Sequence, residues 1–96
     1  MGLGMRRLNR AQDTVEEFGD DPEDTFLALC VRAPVTSLRC GISPYGLTMF
    51  NTRQSERLAI ELAGLPDEER TPVVGRVIEE AHQAIRESGY LLFIGD

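Results

Sequence analysis

Leu8, Ala11, Val15 and Phe18 recur at three- and four-residue intervals, with Met5 at the edge of the same arc. Arg6, Arg7, Arg10, Asp13 and Glu17 occupy the other side, a spacing that predicts an amphipathic helix over residues 5–18 closed by Gly19. The acidic stretch 20–25 reads as a turn, although Asp21 as N-cap and Pro22 at the first helical position would equally open a helix. Phe26 to Val31 is an unbroken apolar run that periodicity alone assigns to neither state. Cys30, Val31 and the nearby Pro34 favour a buried strand over 25–32. Residues 36–42 predict a second strand, and a hairpin loop at Pro34-Val35-Thr36 would set Cys30 opposite Cys40 at disulfide-compatible spacing. Two small residues packing across a ladder is the favoured reading of that pair.

Beyond residue 42 the signals are sharper. Ser43-Pro44-Tyr45-Gly46 is a turn, and Leu47–Phe50 follows as a short strand. Asn51 can cap a helix with Gln54 reciprocating three residues on, and Leu58, Leu62 and Leu65 form its core stripe up to Gly64-Leu65-Pro66. Thr71 as N-cap and Pro72 at the first position open a helix over 72–88. Its Val73, Val74, Val77, Ile78, Ala81, Ala84 and Ile85 fill one arc of about 140°. Gly89 is expected at C′, with Ile85 meeting Tyr90 in a Schellman closure. Tyr90-Leu-Leu-Phe-Ile94 is apolar throughout, and such a strand belongs inside a sheet, because exposed it would invite edge pairing.

The predicted order is helix, three strands, two helices, strand. It implies an α+β two-layer sandwich, a mostly antiparallel sheet of about four strands covered by about three helices. Residues 1–96 read as one domain: helix and acidic turn in 1–24, a strand meander in 25–50, two helices in 51–88 and a strand at 90–94.

At 96 residues with 42% hydrophobic and 27% charged positions, the composition is that of an ordinary globular chain. No apolar run approaches the roughly 18 residues of a membrane span. All ten basic residues are Arg, against sixteen acids, for a net charge of −6 that opposes nucleic-acid binding. The charge is segmented: residues 25–55 contain Arg32, Arg39 and Arg53 and no acid, between two acidic flanks. In the predicted hairpin Arg32 and Arg39 point to opposite sheet faces and cannot form one basic patch. The N-terminus lacks the apolar core of a signal peptide, which points to the cytoplasm and to free thiols at Cys30 and Cys40.

Chemistry is sparse. His82 is the only histidine, and the two cysteines lack zinc-ligand spacing, so no metal or cofactor is expected. Cys30 or Cys40 with His82 fails as a nucleophile pair because both cysteines read as core positions. Gly2-Leu3-Gly4 lacks the rest of a phosphate-binding loop. Adjacent carboxylates such as Glu16–Glu17, Asp20–Asp21 and Glu79–Glu80 fit solvated faces and caps.

Two features remain as candidate partner-binding sites. One is Tyr45 at the turn tip with the nearby Asn51 and Arg53, since Arg53 sits at the unfavourable end of its helix dipole. The other is Ile60, an apolar residue on the polar side of its helix. These point to a non-catalytic protein-interaction or accessory module that binds a protein partner or itself, as a homodimer. The alternative is an acidic inhibitor or neutraliser, an immunity- or antitoxin-like protein or a nucleic-acid mimic, using the six acids of residues 16–24 and the acidic 67–69 segment against a basic partner.

Overall fold

The computed structural model describes residues 2–95. Strands β1 (Gly4–Leu8) and β2 (Thr14–Gly19) are followed by helix α1 (Thr25–Val31) and strand β3 (Leu47–Phe50). Helices α2 (Thr52–Ala63) and α3 (Pro72–Arg86) precede strand β4 (Tyr90–Ile94). Short 3-10 turns lie at Arg39–Gly41 and Asp67–Glu69. Among the described residues, three α-helices and one four-stranded antiparallel sheet build the expected α+β two-layer sandwich, with strand order β2-β1-β4-β3. No helix among the described residues is long and apolar enough to cross a membrane.

The first half departs from its local pattern. Residues 5–18 form a hairpin instead of a helix. Asn9 Oδ1 accepts the N–H groups of Ala11 and Asp13, and Gln12 takes a left-handed backbone with φ 68°, so the chain reverses between Leu8 and Thr14. Pairing then sets Arg6 opposite Glu17 and Arg7 opposite Glu16, so each cation meets an anion across the ladder. Residues 25–31 are helical instead of extended, and neither Asp21 nor Pro22 opens that helix. Asp21 Oδ1 accepts from Thr25 N–H, while the two carboxylate oxygens of Asp20 accept from Phe26 and Leu27. Three otherwise orphaned donors of the first turn are thereby satisfied. Residues 36–42 are not a strand. Glu61 of α2 accepts the N–H groups of Leu38 and Arg39 and pairs with the Arg39 guanidinium at 2.7 Å, holding the 3-10 turn in place. With no hairpin there, Cys30 and Cys40 do not face each other on a ladder, and both are free thiols.

The second half follows its local signals. Asn51 Oδ1 accepts from Gln54 N–H and Gln54 Oε1 accepts from Asn51 N–H, both at 2.9 Å. Thr71 occupies the N-cap of α3, but its hydroxyl lies 3.1 Å from that of Thr25 and does not cap the helix. The C-terminal closure is displaced by one residue from expectation. Ser88 is the left-handed C′ residue, and Gly89 N–H reaches Ala84 O at 2.8 Å. Gly89 is required for a different reason: a Cβ there would lie 2.1 Å from the Leu8 carbonyl oxygen.

The core lies between the helices and one face of the sheet. Phe93 of β4 stacks on Phe26 of α1 and meets Phe50 of β3 edge-on, at centroid distances of 5.9 and 5.5 Å. Met5, Leu58, Leu62, Val74 and Val77 complete it. One polar cluster interrupts this layer. Arg7 of β1 and Glu80 of α3 are 8% and 7% exposed, and Arg7 Nε donates to Glu80 Oε1 at 2.6 Å. Arg7 also pairs with Glu87, and Arg76 donates to Glu80 Oε2 while lying 4.4 Å above the Phe18 ring. Glu80 is therefore not a solvated surface carboxylate. It clasps the N-terminal hairpin to α3.

Glu80→Ala leaves a buried guanidinium with only the half-exposed Glu87 as partner. The expected cost is about 3 kcal/mol, read as a lowered denaturant midpoint with an unchanged slope. Ser55 is fully buried in α2 and its hydroxyl has no partner among the described residues. Ser55→Ala is expected to raise stability by about 1 kcal/mol in the same measurement.

Candidate interaction face

An antiparallel register sends alternate residues to opposite sides of a sheet. Opposed residues share a face, so the pairings fix both sides from any one residue. Met5, Arg7, Thr48, Phe50, Leu91, Phe93, Glu16 and Phe18 share the side that α2 and α3 cover. Gly4, Arg6, Leu8, Leu47, Met49, Tyr90, Leu92, Ile94 and Glu17 share the other. The helices lie on the inner side, where Phe26 of α1 stacks on Phe93 and Leu91 and Phe93 are buried; on the outer side Leu8 is buried while Leu47 and Met49 are exposed.

The outer side is divided. Its β1–β2 half carries Arg6 and Glu17 as an ion pair at 2.7 Å. Its β3–β4 half carries Leu47, Met49, Tyr90, Leu92 and Ile94 and no charge. Leu47 is 70% exposed and Met49 44%, while Tyr90, Leu92 and Ile94 are half-buried. Large contiguous exposed apolar patches are rare on monomeric proteins, whereas single surface apolar residues are ordinary. The two sheet edges also differ. β2 is an edge with Glu16 and Glu17 and a register irregularity opposite Arg7 and Leu8, devices that discourage pairing. β3 is an edge of Leu-Thr-Met-Phe with neither charge nor bulge.

Of the residues singled out from the sequence, Tyr45 and Asn51 flank β3 at its two ends. Tyr45 is 74% exposed, and its N–H donates to Ser43 Oγ. The Asn51 side chain is engaged in capping α2. Arg53 is exposed in the first turn of α2 and has no ion-pair partner among the described residues. Ile60 is 68% exposed on α2, which packs on the inner side of the sheet, so it does not join the apolar patch. Leu47, Met49, Leu92 and Ile94 were not singled out. Their signal was parity: a strand apolar at both odd and even positions needs cover on both faces.

Other chemistry is dispersed. Cys30 is buried in α1, and burial pushes its thiol up to about 12, so the nucleophilic thiolate is strongly disfavoured. His82 is exposed on α3. No group of three or more His, Cys, Asp or Glu side chains converges on a metal-sized site among the described residues. A shallow cleft of about 170 Å³ beside α1 is lined by Glu23, Thr25, Arg32, Glu68, Glu69 and Thr71.

The acidic segment 16–24 is largely structural. Asp20 and Asp21 turn their carboxylates onto the start of α1, and the Thr25 hydroxyl and N–H hold the Asp21 carboxyl below its ordinary range. A depressed carboxyl stabilises the fold above its unfolded pKa of about 3.9 and loses that contribution as pH falls through the lower folded value. Asp21→Asn is therefore expected to flatten the loss of thermal stability on acidification below about pH 4, with the midpoint followed by circular dichroism. A comparison of this chain with protein-family models, curated proteins and solved structures finds no match.

Proposed function

We propose that this chain is a non-catalytic protein-interaction module whose contact surface is the β3–β4 half of the open sheet face. The observation that supports this reading is the uncovered apolar patch of Leu47, Met49, Tyr90, Leu92 and Ile94 on an otherwise acidic protein. Burial of apolar area stabilises association by roughly 25 cal/mol per Å², and exposed Leu and Met side chains are suited to it. Tyr45, exposed at the turn two residues before Leu47, is an aromatic of the type that anchors interfaces. The site of action is the cytoplasm, where Cys30 and Cys40 remain thiols.

The acidic-neutraliser reading is less well supported. A mimic needs its carboxylates presented to a partner, yet Asp20 and Asp21 hold α1, and Glu16, Glu17 and Asp67 are paired with Arg76, Arg6 and Arg70.

The test is a comparison of three immobilised forms. The wild-type chain and Ile60→Glu are expected to retain the same partner stoichiometrically. Leu47→Glu combined with Met49→Glu is expected to lose it by tenfold or more, about 1.4 kcal/mol at least, with its thermal midpoint little changed. Equal retention by the double variant refutes the surface.

A further inference from the structure

We infer that the β3 edge pairs with the β3 edge of a second copy of this chain, antiparallel about a two-fold axis at Thr48, joining two four-stranded sheets into one of eight strands. This rests on the reading of the β3–β4 half as the contact surface and names its partner.

The argument begins with main-chain donors. Gly95 N–H donates to Gly46 O at 2.8 Å, which makes Gly46 and Gly95 a hydrogen-bonded pair. Pair types alternate along an antiparallel ladder, so Thr48 and Phe50 bond to β4 while Leu47 and Met49 fall in non-bonded positions. The N–H and C=O groups of Leu47 and Met49 therefore point out of the sheet edge, and they have no partner among the described residues. The next outward donors on either side are already engaged. Tyr45 N–H donates to Ser43 Oγ at 3.1 Å, and Asn51 N–H donates to Gln54 Oε1 at 2.9 Å. The open window is thus two residues wide and centred on Thr48.

A second copy matches this window. Antiparallel pairing about Thr48 places Leu47 of one copy opposite Met49 of the other, twice over, and each pair exchanges both of its N–H···O bonds. No outward donor is left over, and none already engaged must be released. A longer foreign strand would meet the two closed positions. Paired residues share a face, so both copies' Leu47 and Met49 form one apolar cluster between the two sets of Leu92 and Ile94. Tyr45 of each copy then lies opposite Asn51 of the other.

Electrostatics select the same edge. Two chains of net charge −6 repel over most of their surface. The β3 edge carries no charge, and the charged pair on the outer face, Arg6 with Glu17, is neutral in sum and lies beyond β4. The β2 edge would set Glu16 and Glu17 against their own copies.

The test uses the purified full chain alone. Light scattering is expected to give twice the 10.7 kDa mass at high concentration. Amide exchange at Leu47 and Met49 is expected to slow by roughly tenfold or more from dilute to concentrated solution, while Thr48 and Phe50 stay protected throughout. Met49→Pro, which removes an outward N–H at an edge position, is expected to shift the mass to that of a monomer. A monomer at every concentration, with fast exchange at Leu47 and Met49, overturns the pairing but leaves the contact surface open to a different protein. A dimer whose Leu47 and Met49 amides stay unprotected also overturns it, by placing the second copy elsewhere.

Discussion

Strand β4 is apolar at every position from Tyr90 to Ile94, and a strand apolar on both faces must find cover twice. Its edges are closed by β1 and β3, and its inner face by α2 and α3. Leu91 and Phe93 on that side are 2% and 1% exposed. The outer face receives no such roof within the described chain. Because the helices lie on the inner side, the architecture leaves Leu47 and Met49 exposed and Leu92 and Ile94 half-buried on the outer one. The location of the proposed contact surface is thus a consequence of where the helices go.

Charge placement serves the same arrangement. An acidic chain of this size has carboxylates to spare, yet several of them carry the fold: Asp20 and Asp21 at the start of α1, Glu61 at the 3-10 turn, and Glu80 with Glu87 around Arg7. The Arg7 cluster is the tie between the N-terminal hairpin and α3. Burying such a cluster gains little over apolar packing. It does fix which face of β1 meets α3, because a register slip of one residue would turn Arg7 to solvent and strand Glu80.

Much of this was legible in the sequence, and unevenly so. The elements from Leu47 onward were readable because their signals are local. Asn51 with Gln54, Thr71 with Pro72, and the seven apolar positions of α3 each specify structure within a turn or two of themselves. The α+β class followed from those elements and the apolar tail. The chain before residue 43 was not readable in this way. Leu8, Ala11, Val15 and Phe18 satisfy a helical period, but Arg6 and Arg7 pair across a ladder with Glu17 and Glu16, and Arg7 is buried against a residue 73 positions away. Phe26 to Val31 is helical because carboxylates outside the run satisfy its first turn.

The sequence by itself determined the inventory: helices with caps, an acidic chain, and a terminal strand too apolar to stand alone. The candidate residues Tyr45 and Asn51 came from turn and cap chemistry, and they bracket the open edge. Only the tertiary structure decided that the edge is β3, that its free donors are those of Leu47 and Met49, and that Ile60 lies on the other side. Which face of a strand is covered, and which of its amides point outward, are properties of pairing partners distant in the chain. Local spacing carries no information about them, because strand parity is shared by both faces until a register is chosen.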